Sequence, residues 1–353
     1  GISTITAARI YVGQSKGLDG ESYQLAMEKL PYSAFSKTYT HDSQVADSAP
    51  TAVAMTTGVK SYNGSLGVTQ AANIKDCATA KGNGTTSLWE IAEDAGLATG
   101  VISTARVTHA TPAATYAETT ERDWESDADV SAAGKAAGCV DIASQFTAWQ
   151  GAHGNGFDVV LSGGRSGFLP NTMTDPEYAN QKGRRLDGRN LMDEWKSAAP
   201  NRTTAIDRAG FQAFDWNSDG QILALFEPSH MQYELDRAKD GKGEPSITEM
   251  TKAAITRLSR NKNGYVLMVE GGRVDHGLHA GDAQRALGDA AALDEAIAAA
   301  VAATDPKDTL IIVTADHSHT LMIQGYPQRG NPILGIMQRP PRPTHGSTLL
   351  PYT

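Results

Sequence analysis

The chain has little cysteine, with only Cys77 and Cys139 among 353 residues. Two are too few for a disulfide scaffold, although they suffice for one bridge in an oxidising compartment. Long apolar runs are missing as well. No uncharged apolar stretch approaches the roughly 18 residues that a membrane span needs, which excludes a transmembrane helix. Positive charge is not in excess: 31 Lys and Arg face 40 Asp and Glu, a formal net charge of -9, which speaks against nucleic-acid-specific binding. Internal repeats and long low-complexity tracts are absent, and a composition of 40% hydrophobic and 20% charged residues excludes disordered and fibrous classes. The chain opens on Gly1-Ile2-Ser3, without an initiator Met or a signal peptide, and closes on Leu350-Pro351-Tyr352-Thr353. It therefore reads as a mature or truncated chain.

What is present is an alternation of short apolar runs with helical patterns, the signature of a largely parallel sheet covered by helices. Strands are expected at 97–104, 157–162, 264–270 and 308–315. Ser87 with Glu90, and Ser246 with Glu249, read as capping boxes that open helices. A long alanine-rich helix is expected over roughly 281–303. Between 167 and 245 the pattern breaks into Pro, Gly, Asp, Arg and Lys, and 324–348 is rich in Pro and Arg. The expected fold is an α/β three-layer sandwich, with a mostly parallel sheet, helices on both faces and an inserted metal-binding subdomain. Its core would be 1–166 and 246–353, with 167–245 as the insertion.

Ligands in open α/β sheets gather outside the carboxyl ends of the strands. Two expected strands end on metal-ligand chemistry. One runs into Glu270 and then Asp275-His276-Gly-Leu-His279, the other into Asp316-His317-Ser-His319. Asp275 and His279 are one helical turn apart, so both would face the same way. Asp and His together suit zinc, whereas Glu270 is a hard oxygen ligand better matched to magnesium. In Asp47-Ser48-Ala49-Pro50-Thr51-Ala52, small residues after a serine suggest a crowded helix start, whose N–H groups favour phosphate. A serine there is ordinarily an N-cap, and becomes a nucleophile only when a metal or base activates it. Thr108-His109-Ala110-Thr111-Pro112 and Arg122 complete the candidates.

These motifs resemble the alkaline phosphatase family over nearly the whole chain. Asp47-Ser48-Ala49 with Thr57-Gly58-Val59-Lys60 is similar to its nucleophile segment. The animal-type branch is resembled by Trp124-Glu-Ser-Asp127-Ala-Asp129, Val269-Glu-Gly-Gly-Arg-Val-Asp275-His276-Gly, Thr314-Ala-Asp316-His317-Ser-His319, Phe226-Glu227-Pro228 and Gly325-Tyr-Pro-Gln-Arg-Gly330. The resemblance implies hydrolysis of phosphate monoesters by a two-step in-line transfer, with Ser48 as the nucleophile that becomes phosphorylated. It implies two zinc ions and one magnesium ion. Asp275 and His279 would hold the first zinc, with His345 as its third ligand, although the Ser-Thr-Leu-Leu after His345-Gly346 departs from the family. Asp316, His317 and Ser48 would hold the second zinc, and Thr111 and Glu270 the magnesium. Arg122 would clamp two phosphate oxygens, and His109 and His276 would orient water and phosphate. A calcium-like site would use Glu177, the Phe226 carbonyl, Glu227 and Glu244, the last standing where the family has Asp.

Cys77 and Cys139 match a family disulfide, which implies a periplasmic or secreted, extracellular protein, with a lipid anchor left open. A homodimer is also implied. The Asp of the family's Asp-Gly-Met-Gly, which bridges the second zinc and magnesium, would lie just before residue 1. Two other readings follow from these departures. One is a catalytically impaired metal-binding fragment of the same family. The other is a sulfatase-like hydrolase, because Ser48-Ala-Pro50 is similar to the sulfatase pattern, although Ala52 stands where that pattern has Arg.

Overall fold

The computed structural model describes residues 1–150 and 152–340. At its centre five strands run parallel: β1 (Ala98–Arg106), β2 (Val159–Gly163), β3 (Arg202–Ala205), β4 (Gln221–Leu225) and β5 (Tyr265–Glu270), in the order β3-β4-β2-β1-β5. The helices that position the site are α1 (Ile2–Ser15), α2 (Ser48–Thr57), α3 (Leu88–Asp94), α4 (Ala110–Ala113), α5 (Ile142–Trp149), α6 (Ile247–Leu258), α7 (Arg273–His279) and α8 (Ala283–Ala303).

The inner strands are apolar almost throughout because both faces of the sheet are covered. Val101, Val160, Leu223 and Leu225 point to one core with Ala49 and Val53 of α2, Trp89 of α3 and Phe146 and Trp149 of α5. Ile102, Val159, Leu161, Ile222 and Ala224 point to the other, with Met250, Ala254 and Leu258 of α6 and Ala296 of α8. The result is the expected three-layer α/β arrangement. Both capping boxes form, Ser87–Glu90 at α3 and Ser246–Glu249 at α6, and the alanine-rich helix spans 283–303. In a third cluster Ala7 and Ala8 of α1 pack with Leu287 and Ala290 of α8. Gly277 lets α7 close on α8, since a Cβ there would lie 2.7 Å from the Ala286 nitrogen.

Two expectations change. The stretch 167–245 is not set apart from the core, because it supplies β3 and β4, and β4 pairs with β2. These strands escape pattern reading because they are short, four and five residues, and β3 is Arg-Thr-Thr-Ala. The strand expected over 308–315 does not form. No partner strand lies beside it among the described residues, so its backbone joins no ladder, and Leu310 and Ile312 are 83% and 75% exposed. Apolar alternation makes a strand only where a neighbour takes up the N–H and C=O groups.

Candidate functional site

Helix α2 begins under the carboxyl ends of β1 and β5. Its N-cap is Asp47, not Ser48: the Asp47 carboxylate accepts the Ala49 N–H at 2.6 Å and also the Gly64 N–H. Ser48, relieved of capping, is the first helical residue and is buried. Its Oγ lies 3.1 Å from Nε2 of His317. Ala49, Ala52 and Val53 are buried against Ala110 and Ala113 of α4, and this crowding is what the small residues after Ser48 allow. Gly58 ends the helix in the left-handed region, φ 76°.

Asp47 also receives Arg122 Nη1 at 2.9 Å, and Arg122 Nη2 lies 3.1 Å from Nε2 of His109. One carboxylate thus fixes both the helix start and the arginine. Sequence reasoning missed this role of Asp47, whose only signal was its place directly before Ser48.

At the end of β5, Glu270 accepts a hydrogen bond from Ser103, and Thr111, the other residue expected for magnesium, stands near its carboxylate. Burial, with Asp316 and Asp275 nearby, raises its carboxyl to about 7. A bound cation would reverse that preference by favouring the ionised form.

One turn of α7 sets Asp275 Oδ2 3.4 Å from His279 Nε2, and Asp275 Oδ1 lies 3.6 Å from Nε2 of His319. Asp275, His279 and His319 together offer ligand atoms within 4.8 Å of one another. Asp275 Oδ1 is buried without a hydrogen-bond partner, the condition of a carboxylate shaped for a cation. A carboxylate with two imidazoles fits zinc. His345 lies outside the described residues, and His319 occupies the third place in this cluster. Beside it, His317 Nδ1 lies 2.9 Å from the Ser318 carbonyl, which fixes the ring with Nε2 toward Ser48, 3.4 Å from Asp316 Oδ2.

His109 and His276 meet here too, with ring centroids 5.4 Å apart. Burial and the neighbouring Arg122 lower His109 to about 3, and burial and Arg273 lower His276 to about 4, so both are neutral. A third ring that the sequence did not single out, His230, packs against both. Its signal was weak: one histidine in the loop after Phe226-Glu227-Pro228.

The acidic residues of 167–245 form a separate cluster of Glu177, Glu227 and Asp240. Of the residues expected for calcium, Glu177 and Glu227 lie in this cluster together with Asp240, while Glu244 Oε1 accepts the Gln232 N–H at 2.9 Å. The Phe226 carbonyl accepts Arg165, whose Nη2 also reaches Glu177 at 2.7 Å and whose Nε reaches Asp175 at 2.7 Å. Buried oxygens of Glu177 and Asp240 remain unpaired, so the three carboxylates fit a hard cation while the Phe226 carbonyl does not. Cys77 and Cys139 form a disulfide.

The alkaline phosphatase family model matches residues 1–353. Over 343 residues the chain is 44% identical to the tissue-nonspecific alkaline phosphatase isozyme of Felis catus and 43% identical to that of Homo sapiens, in each case 95% of this chain and 64% of the relative. The chain thus spans less than two thirds of the length of these mammalian relatives. With alkaline phosphatase of Gadus morhua it shares 43% over 341 residues, 95% of this chain and 70% of the relative. The crystal structure of Thermus thermophilus alkaline phosphatase superposes with a TM-score of 0.64 at 29% identity, over 84% of this chain and 53% of that one.

Proposed function

The chain belongs to the alkaline phosphatase family, and from that premise we propose that it hydrolyses phosphate monoesters with Ser48 as the nucleophile. The observation that carries the proposal is the placement of Ser48. Its Oγ faces His317 at 3.1 Å from the first residue of a helix, while the residue before it anchors Arg122. Asp47 ties the helix start to Arg122, so that a phosphate at Ser48 would find the guanidinium beside it as a donor to its oxygens. In the first step the Ser48 Oγ–phosphorus bond forms and the ester oxygen–phosphorus bond breaks. Water then hydrolyses the phosphoserine, releasing phosphate and restoring Ser48.

Asp275, His279 and His319 would hold one zinc, Asp316, His317 and Ser48 a second, and Thr111 with Glu270 a magnesium. Their chemistry is Lewis acidity, which lowers the pKa of the serine hydroxyl and neutralises the entering and leaving oxygens. Asp47 and His109 keep Arg122 aimed. Glu177, Glu227 and Asp240 would hold a calcium-like ion. The Cys77–Cys139 bridge supports a periplasmic or extracellular setting, no helix of the described residues is long and apolar enough to cross a membrane, and the family resemblance supports a homodimer.

The test is to quench turnover of p-nitrophenyl phosphate at low pH and map the phosphorylated peptide. Phosphate is expected on Ser48; full activity in Ser48→Ala would refute the assignment.

A further inference from the structure

His230 has no role in the reading above, yet its ring stacks 4.0 Å from His276 and 5.3 Å from His109, centroid to centroid. Nitrogens of the three rings lie within 4.8 Å of one another, the spacing of a three-histidine metal site. The charges around them oppose that use. Each ring faces a guanidinium: Arg122 Nη2 is 3.1 Å from His109, Arg273 Nη1 is 3.3 Å from His276, and Arg106 Nη1 is 2.6 Å from His230. Arginine is always charged and only donates. The ring nitrogens that accept from it have no lone pair left for a metal, and three adjoining cations repel one.

His230 is the odd member. Its Nδ1 accepts the backbone N–H of Arg106 at 3.2 Å, so the proton of the neutral ring sits on Nε2. The nitrogen facing Arg106 Nη1 is therefore also a donor, and the two point at each other with no acceptor between them. Arg106 cannot swing away. Its Nε and Nη2 are held by Glu125 at 2.7 and 2.5 Å, and Nη1 reaches Ser229 Oγ at 3.2 Å. Glu125 balances Arg106, and Asp47 balances Arg122. Arg273 lies over the Tyr233 ring at 3.7 Å, has no carboxylate within 4.0 Å among the described residues, and keeps Nε buried without a partner. The arrangement carries a surplus of donors and of positive charge, next to the arginine that clamps phosphate.

We infer that Arg106, His230 and Arg273 form a second anion subsite beside the phosphate clamp, selecting phosphate monoesters whose organic part bears a further anionic group, such as a carboxylate. An anionic oxygen beside this pair supplies the acceptor that His230 Nε2 lacks and a counter-charge for the guanidinium. The inference rests on the phosphomonoesterase reading, and non-hydrolysable ligands separate the two.

With zinc and magnesium supplied, phosphonoacetate and ethylphosphonate are titrated calorimetrically onto the protein. Phosphonoacetate is expected to bind about tenfold more tightly, the yield of one hydrogen bond to a charged group. His230→Phe, which keeps the ring and removes the donor, should bring the two affinities together, and His230→Gln, which keeps a donor, should restore most of the preference. Equal affinities in the wild-type protein overturn the subsite while leaving the phosphate site standing, and this arm needs no variant to fold. Failure of both phosphonates to bind overturns the phosphate reading and the subsite with it. An unchanged preference in His230→Phe, or equal loss in Phe and Gln variants, assigns His230 to packing and overturns the inference. So does a further zinc per chain that is retained by the wild type and lost in His230→Phe.

Discussion

The two ligand clusters of this chain solve the same problem, buried carboxylates, in opposite ways. Asp275 is surrounded by the imidazoles of His279 and His319, and its Oδ1 is left without a partner. In the cluster of Glu177, Glu227 and Asp240, Glu177 is instead paired with a charge of the chain itself, the guanidinium of Arg165, whose fork Asp175 completes. The first cluster is incomplete without a cation. The second is half satisfied by the protein itself. A cluster with no internal counter-charge leaves its carboxylate to a cation, whereas one with a guanidinium is partly neutralised without an ion.

The comparison is broken most decisively at the reacting serine. Ser48→Ala should lower turnover of p-nitrophenyl phosphate by at least about a thousandfold, since among the described residues its hydroxyl is the one that faces His317 Nε2. Its melting temperature should stay near that of the parent, because Asp47 and not Ser48 caps the helix. Asp275→Asn comes next. Losing the one carboxylate among two imidazoles should remove one zinc per chain by metal analysis and cost activity on the order of a hundredfold or more, with little loss of structure. Retention of full zinc would show that the cluster is not a ligand set.

Arg165→Met tests the other side. It strips the only guanidinium from Asp175 and Glu177, both nearly inaccessible in their side chains, and leaves carboxylates uncompensated. Breaking such a buried pair costs roughly 3–5 kcal/mol, read as a fall in the urea midpoint. Added calcium should recover part of that loss if the three carboxylates hold the ion. Recovery by calcium in the Asp275→Asn variant instead would invert the assignment of the two clusters.

Much of this could be read from the sequence because long motifs end on strands. Glu270 terminates an apolar run, Asp275 and His279 share a turn of helix, and Asp316-His317 stand together, so chemistry and local structure announce each other. Ser48 was legible for the same reason. The residues that escaped are those whose role is set by tertiary neighbours. Asp47 is only the residue before Ser48 until the fold brings Arg122 to it from 75 residues away. His319 lies beyond the Asp-His pair and joins Asp275 only through the fold. Asp240 joins Glu177 and Glu227 only through the fold, while Glu244 accepts a hydrogen bond from Gln232. In the sheet, β3 was too short and polar to register, and the apolar 308–315 run gave a strand signal with no partner strand beside it. Periodicity reports which side chains want burial, not which backbone will be paired.

The smallest expected effect lies at the border of the acidic cluster. Glu244 is 2% exposed, and one of its oxygens has no partner. Burial, reinforced by Glu227, pushes its carboxyl up to about 9. A carboxyl raised in the folded state holds a proton that the unfolded chain has already released, so folding takes up a proton between the unfolded value near 4.5 and about 9. Stability from this group is therefore greatest below the lower value and declines as pH rises through the upper one. Glu244→Gln keeps the oxygen that accepts the Gln232 N–H and can never ionise. The variant should match the parent near pH 5 and melt a few degrees higher near pH 9, with a flatter melting profile between. If instead the variant loses stability at high pH, Glu244 is ionised in the folded protein and belongs with Glu177, Glu227 and Asp240 as a ligand, which would restore the four-residue cation site that the geometry divides.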